Sequence, residues 1–286
     1  MFWKKKIARS AMILVYILMI WSISNACERT IKLNIEETFV EVIFLANEGV
    51  LISTHKKKVL IDALFDNPNP NYAAPPEDML ERMVAGRAPF DDVDLVLVTH
   101  NHPDHFGASF AARFMESNPN AVIMAADDAT SALKENVKEW ERVQNRVFSF
   151  DLKPGATAER TVKGIAVRIF RTLHSGDLES PHNLMYLIKM SGRTVFHEGD
   201  SDGKLATFKD LGLEKEEIDL ALVHFWFPLH PEGERIILDV LKPDNVGLIH
   251  LPKRLMSDAP SKIDMVKSNY KDLFLFLRTG EKKTIR

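Results

Sequence analysis

Three histidines and one aspartate fall within six consecutive positions, His100-Asn101-His102-Pro103-Asp104-His105, one residue after the apolar run Leu95-Val96-Leu97-Val98. Imidazole and carboxylate groups at short spacing are what a divalent metal site requires. His100 and His102 are two apart, so in an extended loop their side chains point the same way. Asp104 and His105 follow a proline and, being adjacent, diverge. This stretch can therefore offer donors to two neighbouring points. The alternative is a polar surface loop that happens to be rich in histidine.

A protein-bound divalent ion of the zinc type takes about four donors, so further ligands must come from elsewhere. They must sit at strand ends, where loops can meet on one rim. Three residues qualify: His174 after the strand-like 167–173, Asp200 after 195–197 through Glu198-Gly199, and His250 after 246–249. Asp62, after Val59-Leu60-Ile61, can accept from an imidazole and fix its tautomer. His182 and His224 are candidates for a catalytic role beside Asp104, and His230 is a weaker one. Each of the three otherwise reads as a surface or hydrogen-bonded histidine. His197, inside a strand, reads as packing or support, and His55, in the basic turn Thr54-His55-Lys56-Lys57, as a solvated surface residue. The cluster Phe225-Trp226-Phe227 is either an apolar substrate wall or core.

The elements that must position these residues follow from hydrophobic periodicity. The spacing predicts three opening strands at 38–46, 49–53 and 58–61, with Asn47-Glu48-Gly49 as a turn. A helix is expected at 77–85, a fully buried strand at 94–98, a helix at 106–117 and a strand at 121–125. A single long helix at 127–143 follows, then strands at 146–150 and 162–170 separated by a Pro154-Gly155 turn. A hairpin pairs 183–190 with 193–197 around Ser191-Gly192. After it come helices at 205–210, 232–241 and 261–271, with strands at 219–223, 246–249 and 273–277. Strands followed by α/β alternation, twice over, fits two strand-helix halves packed sheet against sheet with helices outside.

The chain has 286 residues, 45% of them hydrophobic, and a net charge of −3, which is ample for a sizeable core. Its first 26 residues carry Lys4, Lys5, Lys6 and Arg9 and no acid, so the body is more acidic still. That argues against a broad nucleic-acid surface, and no nucleic-acid partner is expected. The unbroken apolar run from Ala11 to Trp21 is shorter than the ~18 residues of a spanning helix. With the basic start and Ser24-Asn25-Ala26, it reads as an export signal over 1–26, an uncleaved membrane segment being the alternative. Cys27, the lone cysteine, stands where a lipoprotein signal would be acylated. The expectation is one domain over 27–286 in an exported, periplasmic or membrane-attached protein.

In order along the chain, His-x-His-x-Asp-His (100–105), His174, Gly199-Asp200 and His250 resemble the metallo-β-lactamase superfamily of binuclear metal hydrolases. The resemblance covers essentially all of 27–286. It implies a four-layer αββα sandwich of two mixed β-sheets packed face to face. It further implies two divalent metal ions, zinc being the usual one. His100, His102 and His174 would hold one, Asp104, His105 and His250 the other, and Asp200 would bridge them. All seven positions carry the expected residue type. Two ions so placed lower the pKa of a bridging water toward neutrality, and the resulting hydroxide attacks a carbonyl or phosphoryl centre. The chain looks most like a broad lactonase- and phospholipase-D-like branch, which implies cleavage of an ester, lactone or phosphodiester bond in a small-molecule or lipid-like substrate. An iron-dependent redox enzyme of the same fold, an exported β-lactamase and a non-catalytic binding protein are the alternatives.

Overall fold

The computed structural model describes residues 39–66, 69–176 and 178–286. The expected export segment and Cys27 lie outside the described residues. Among the described residues, no helix is long and apolar enough to cross a membrane.

Two sheets of seven strands each make the frame. The first half supplies β1 (Val40–Ala46), β2 (Gly49–Ser53), β3 (Lys58–Ile61), β4 (Leu95–Leu97), β5 (Val122–Ala126) and β6 (Val147–Phe150). The second supplies β7 (Thr157–Val162), β8 (Ile165–His174), β9 (Leu178–Met190), β10 (Arg193–His197), β11 (Leu220–His224), β12 (Asn245–Ile249) and β13 (Leu273–Leu275). A last strand, β14 (Lys282–Ile285), returns to pair with β1. Both halves run antiparallel first and parallel later: β1 to β3 then β3 to β6, and β7 to β10 then β10 to β13.

Strand alternation decides which side chains meet which layer. In β1, Val42 and Phe44 point into a core shared with Ile169, Tyr186 and Leu222 of the other sheet. Ile43 and Leu45 point outward, against Phe114 and Met115 of the helix Ala108–Ser117. A third core lies outside the second sheet, where Phe196 and Val223 meet Phe208, Ile237 and Ile263. Three apolar layers between four layers of structure make the αββα sandwich. Tyr186 also ties the sheets together by a hydrogen bond, its buried hydroxyl donating to the Val98 carbonyl at 2.6 Å, just ahead of the histidine loop. Tyr186→Phe should cost about 1–3 kcal/mol, the penalty for leaving a buried acceptor unpaired, read as a lower urea midpoint at unchanged slope.

Three expectations need correction. The helix foreseen over 127–143 is two helices, α3 (Asp127–Asn136) and α4 (Trp140–Val143), if Glu77–Val84 and Ala108–Ser117 are α1 and α2. Val137 breaks it by turning extended and burying its side chain, while the Lys138 N–H donates to Glu116 Oε1 at 2.7 Å. The strand foreseen at 162–170 is the hairpin of β7 and β8, and β14 was not foreseen at all. β7 and β14 are sheet edges with mostly exposed polar residues, and charged edge strands that resist further pairing carry no apolar run.

Candidate metal centre

The parallel part of each sheet ends on a common rim. The histidine loop follows β4, Asp62 follows β3, Asp200 follows β10, His224 closes β11 and His250 follows β12. His174 closes the antiparallel β8 beside them. They border an open cleft of about 540 Å³ that His102, Asp104, His174, Asp200, His224 and His250 all line.

The imidazoles of His100, His102 and His174 form a triangle with ring centroids 4.7, 4.8 and 4.7 Å apart. His100 Nε2 lies 3.1 Å from His102 Nδ1, and Asp200 Oδ2 lies 3.4 Å from His174 Nε2 and 3.8 Å from His100 Nε2. The other carboxylate oxygen, Oδ1, lies 3.3 Å from His250 Nε2 and 3.7 Å from His105 Nε2. Asp104 completes that second group. Donors bound to one tetrahedral ion at 2.0–2.2 Å would stand roughly 3.4 Å apart, close to these separations. His174 Nε2 and His250 Nε2 are buried without any hydrogen-bond partner. Such orphaned nitrogens are costly unless an ion takes their lone pairs. The residues fit a pair of divalent ions.

Asp62 sets the tautomers. It accepts from the Thr99 N–H at 2.8 Å and from the Thr99 hydroxyl. Its Oδ2 also lies 2.9 Å from His105 Nδ1. With the Thr99 hydroxyl proton committed to Asp62, its oxygen accepts from His100 Nδ1 at 3.0 Å. Both imidazoles therefore turn Nε2 toward Asp200 and keep Nδ1 for the supporting hydrogen bond. Asp62→Ala should lower metal affinity about 10–100-fold, the usual effect of losing a residue that orients a ligand, measured by competition with a chromogenic chelator.

Electrostatics set the protonation. Burial holds His100 and His250 well below the ordinary histidine range, helped for His100 by the charge of His105, and it lowers His102 as well. These three stay neutral at pH 7, the form that binds metal. Burial alone would raise Asp200, but His250 and His105 outweigh it and hold the carboxyl well below the usual range. His105 is likewise depressed by burial, yet Asp200 and the hydrogen bond to Asp62 push it up to about 10 in the metal-free protein.

The structure brings all seven expected donors together and adds residues that the sequence did not single out. Asn47 donates from Nδ2 to the Asp104 carbonyl at 3.1 Å. Glu48, foreseen as part of a turn, is fully buried with neither carboxylate oxygen hydrogen-bonded. Glu198 is likewise fully buried and binds His224. An acid in a two-residue connection between two apolar strands, Val40–Ala46 and Gly49–Ser53, is the signal that could have found Glu48. Asn47, Asp62 and His250 all hold positive φ (49°, 42° and 57°), a conformation costing roughly 1–2 kcal/mol each for a residue with a Cβ. Strain of this kind gathers at working sites.

His224 sits in the centre, its Nε2 3.1 Å from Asp200 Oδ1. His182 does not line the cleft. Its Nδ1 lies 2.7 Å from Asp127, and its backbone N–H donates to Asp128. His230 is likewise outside the cleft lining, stacked edge-on to Trp226. His197 is buried, accepts from the Gly199 N–H and turns Nε2 to the Glu48 carbonyl at 3.2 Å. His55 is exposed. Phe225 and Trp226 line the cleft, while Phe227 is core. Tyr72 covers His250 with ring centroids 4.5 Å apart.

Residues 57–256 match the family described as the beta-lactamase superfamily domain. A UPF0173 metal-dependent hydrolase of Pyrococcus horikoshii is 31% identical over 219 residues, covering 74% of this chain and 84% of its own length. A metallo hydrolase of Ignicoccus hospitalis superposes with a TM-score of 0.57 at 18% identity, over 87% of this chain and 99% of that one. An isothiocyanate hydrolase from Delia radicum gut bacteria gives 0.58 at 12% identity, over 85% and 98%. At those identities the two structures speak for a shared fold.

Proposed function

The chain belongs to the metallo-β-lactamase superfamily and is a metal-dependent hydrolase of that fold, and from this premise we propose that it uses two zinc ions to cleave an ester, lactone or phosphodiester bond. His100, His102 and His174 would hold one ion and Asp104, His105 and His250 the other, with Asp200 between them. The observation that carries this reading is the division of Asp200: one oxygen faces His100 and His174, the other faces His105 and His250. When bound, the ion pair would supply a water acidified toward neutrality and a Lewis-acidic hold on the bond under attack.

The chain's own groups do the remaining work. Asp104 faces the cleft, its carboxylate 3.4 Å from Asn47 Nδ2, and in this reading would accept a proton from the attacking water and aim it. Tyr72, Phe225 and Trp226 form an apolar wall that excludes bulk water and suits a small-molecule or lipid-like substrate. His182 has no part in this reading. Export, with membrane attachment through Cys27, belongs to the same proposal and rests on the basic and apolar start of the chain.

The test combines metal content with a substrate screen. Full-length protein is loaded with zinc, and phosphodiester, lactone, thioester and β-lactam substrates are assayed beside His102→Ala and Asp104→Ala. At least two zinc ions per chain, with hydrolysis lost in both variants, is the expected result. A folded protein that takes up no metal overturns it, and iron with oxygen consumption moves the assignment to redox chemistry.

A further inference from the structure

Beside the seven donors stand two buried residues that the binuclear reading does not use, Glu48 and His224. Glu48, in the β1–β2 turn, is fully buried, and neither of its carboxylate oxygens has a hydrogen-bond partner. Its Oε1 stands 3.5 Å from His224 Nε2, which in turn stands 3.1 Å from Asp200 Oδ1. The ligand atoms of Glu48, Asp200, His224 and His250 all lie within 4.8 Å of one another. Glu198 fixes the orientation of His224: its Oε1 accepts the His224 backbone N–H at 2.9 Å and binds the ring at Nδ1. With Nδ1 committed to Glu198, Nε2 is the nitrogen turned toward the two other carboxylates. This is the carboxylate–imidazole arrangement that presents a lone pair to a metal.

We propose that Glu48, His224 and Asp200 form a third cation position, bordered by His250, so that the loaded protein holds a cluster of three ions rather than two. The spacing agrees, since three donors on one tetrahedral ion stand roughly 3.4 Å apart. Charge agrees as well. Asp62, Asp104, Glu48, Glu198 and Asp200 are all buried at or beneath the rim, a concentration of carboxyl groups that suits a further cation. A protonated His224 bridging Asp200 and Glu198 would still leave the Glu48 oxygens unsatisfied at full burial, where an unpaired polar group is expensive. A third ion satisfies Glu48 and His224 together. Three protein donors leave its fourth position open, as in catalytic rather than structural sites.

The inference rests on the binuclear reading, because Asp200 would serve all three ions. Full-length wild type and Glu48→Gln are loaded with zinc alone, desalted and measured for zinc per chain by mass spectrometry. Glutamine keeps the size and removes the charge. Three equivalents in the wild type and two in the variant is the expected result. Two in the wild type overturns the third position and leaves the binuclear reading standing. One or none overturns both. Three in both proteins places the third ion elsewhere and overturns this assignment. Should Glu48→Gln not fold, an anomalous-scattering map of zinc-loaded wild-type crystals decides. A peak within about 2 Å of both Glu48 and His224 supports the site, and peaks at the seven-donor positions alone overturn it.

Discussion

Asp200→Asn should lower kcat/KM by on the order of 10³-fold or more, above the 10²–10³-fold lost when a single preorganised electrostatic group is removed from a reaction centre. Asparagine matches the shape but carries no charge, and one of its two polar atoms is a donor that cannot bind a cation. Because Oδ2 serves the His100–His174 side and Oδ1 the His105–His250 side, either orientation of the amide strips one side of its oxygen. The damage extends past the ions. Asp200 is the carboxylate that offsets His105 and His224 in the buried centre, and removing one partner of a buried charged group leaves the others uncompensated. Zinc content and kcat/KM measured on the same preparation check the result. A zinc-loaded variant that keeps its metal and works within tenfold of wild type would remove Asp200 from the proposed bridging role.

Gly199→Ala should destabilise the protein by about 2–5 kcal/mol, combining roughly 1–2 for a left-handed residue with a Cβ and roughly 1–3 for overpacking. Gly199 has φ +57°, and a Cβ there would stand 2.7 Å from Asn183 Oδ1 and 2.7 Å from Thr99 Cβ. Neither neighbour can yield freely. Asn183 Oδ1 accepts the Asp200 N–H at 3.0 Å, and Thr99 links Asp62 to His100. The methyl group would therefore push apart the two loops that present Asp200 and the histidines, and metal affinity should fall with stability. Gly164→Ala is the matched control, since Gly164 has φ +79° with nothing within 4 Å of its Cβ position. The difference between the two urea midpoints isolates the steric part. Equal losses in both variants would mean that the loops give way and that Gly199 matters only for its backbone angle.

Much of this centre could be read along the chain because its donors are local or stand at strand ends. His100, His102, Asp104 and His105 are neighbours in one loop, and a buried strand such as Leu95–Leu97 announces itself by an apolar run. The order of antiparallel and parallel strands also followed from local pattern, since hairpins have short turns and parallel strands need helical crossovers. Edge strands failed for the converse reason: Thr157–Val162 and Lys282–Ile285 pair by backbone while showing charge to solvent.

What the amino-acid sequence determined by itself was the family, the donor types and the half of the site held in six consecutive residues. The tertiary structure alone decided which distant residues share the cleft. His182 and His224 look alike in sequence, each a histidine beside a strand. Packing sends the first to Asp127, outside the cleft lining, and the second to the centre with Glu48, Glu198 and Asp200. Glu48 and His224 are brought together by the meeting of two sheets, one contributing the β1–β2 turn and the other the end of β11. Periodicity reports which face of its own strand a side chain takes. It does not report what the opposite sheet places against that face, because that depends on the register and stacking of segments more than 150 residues apart.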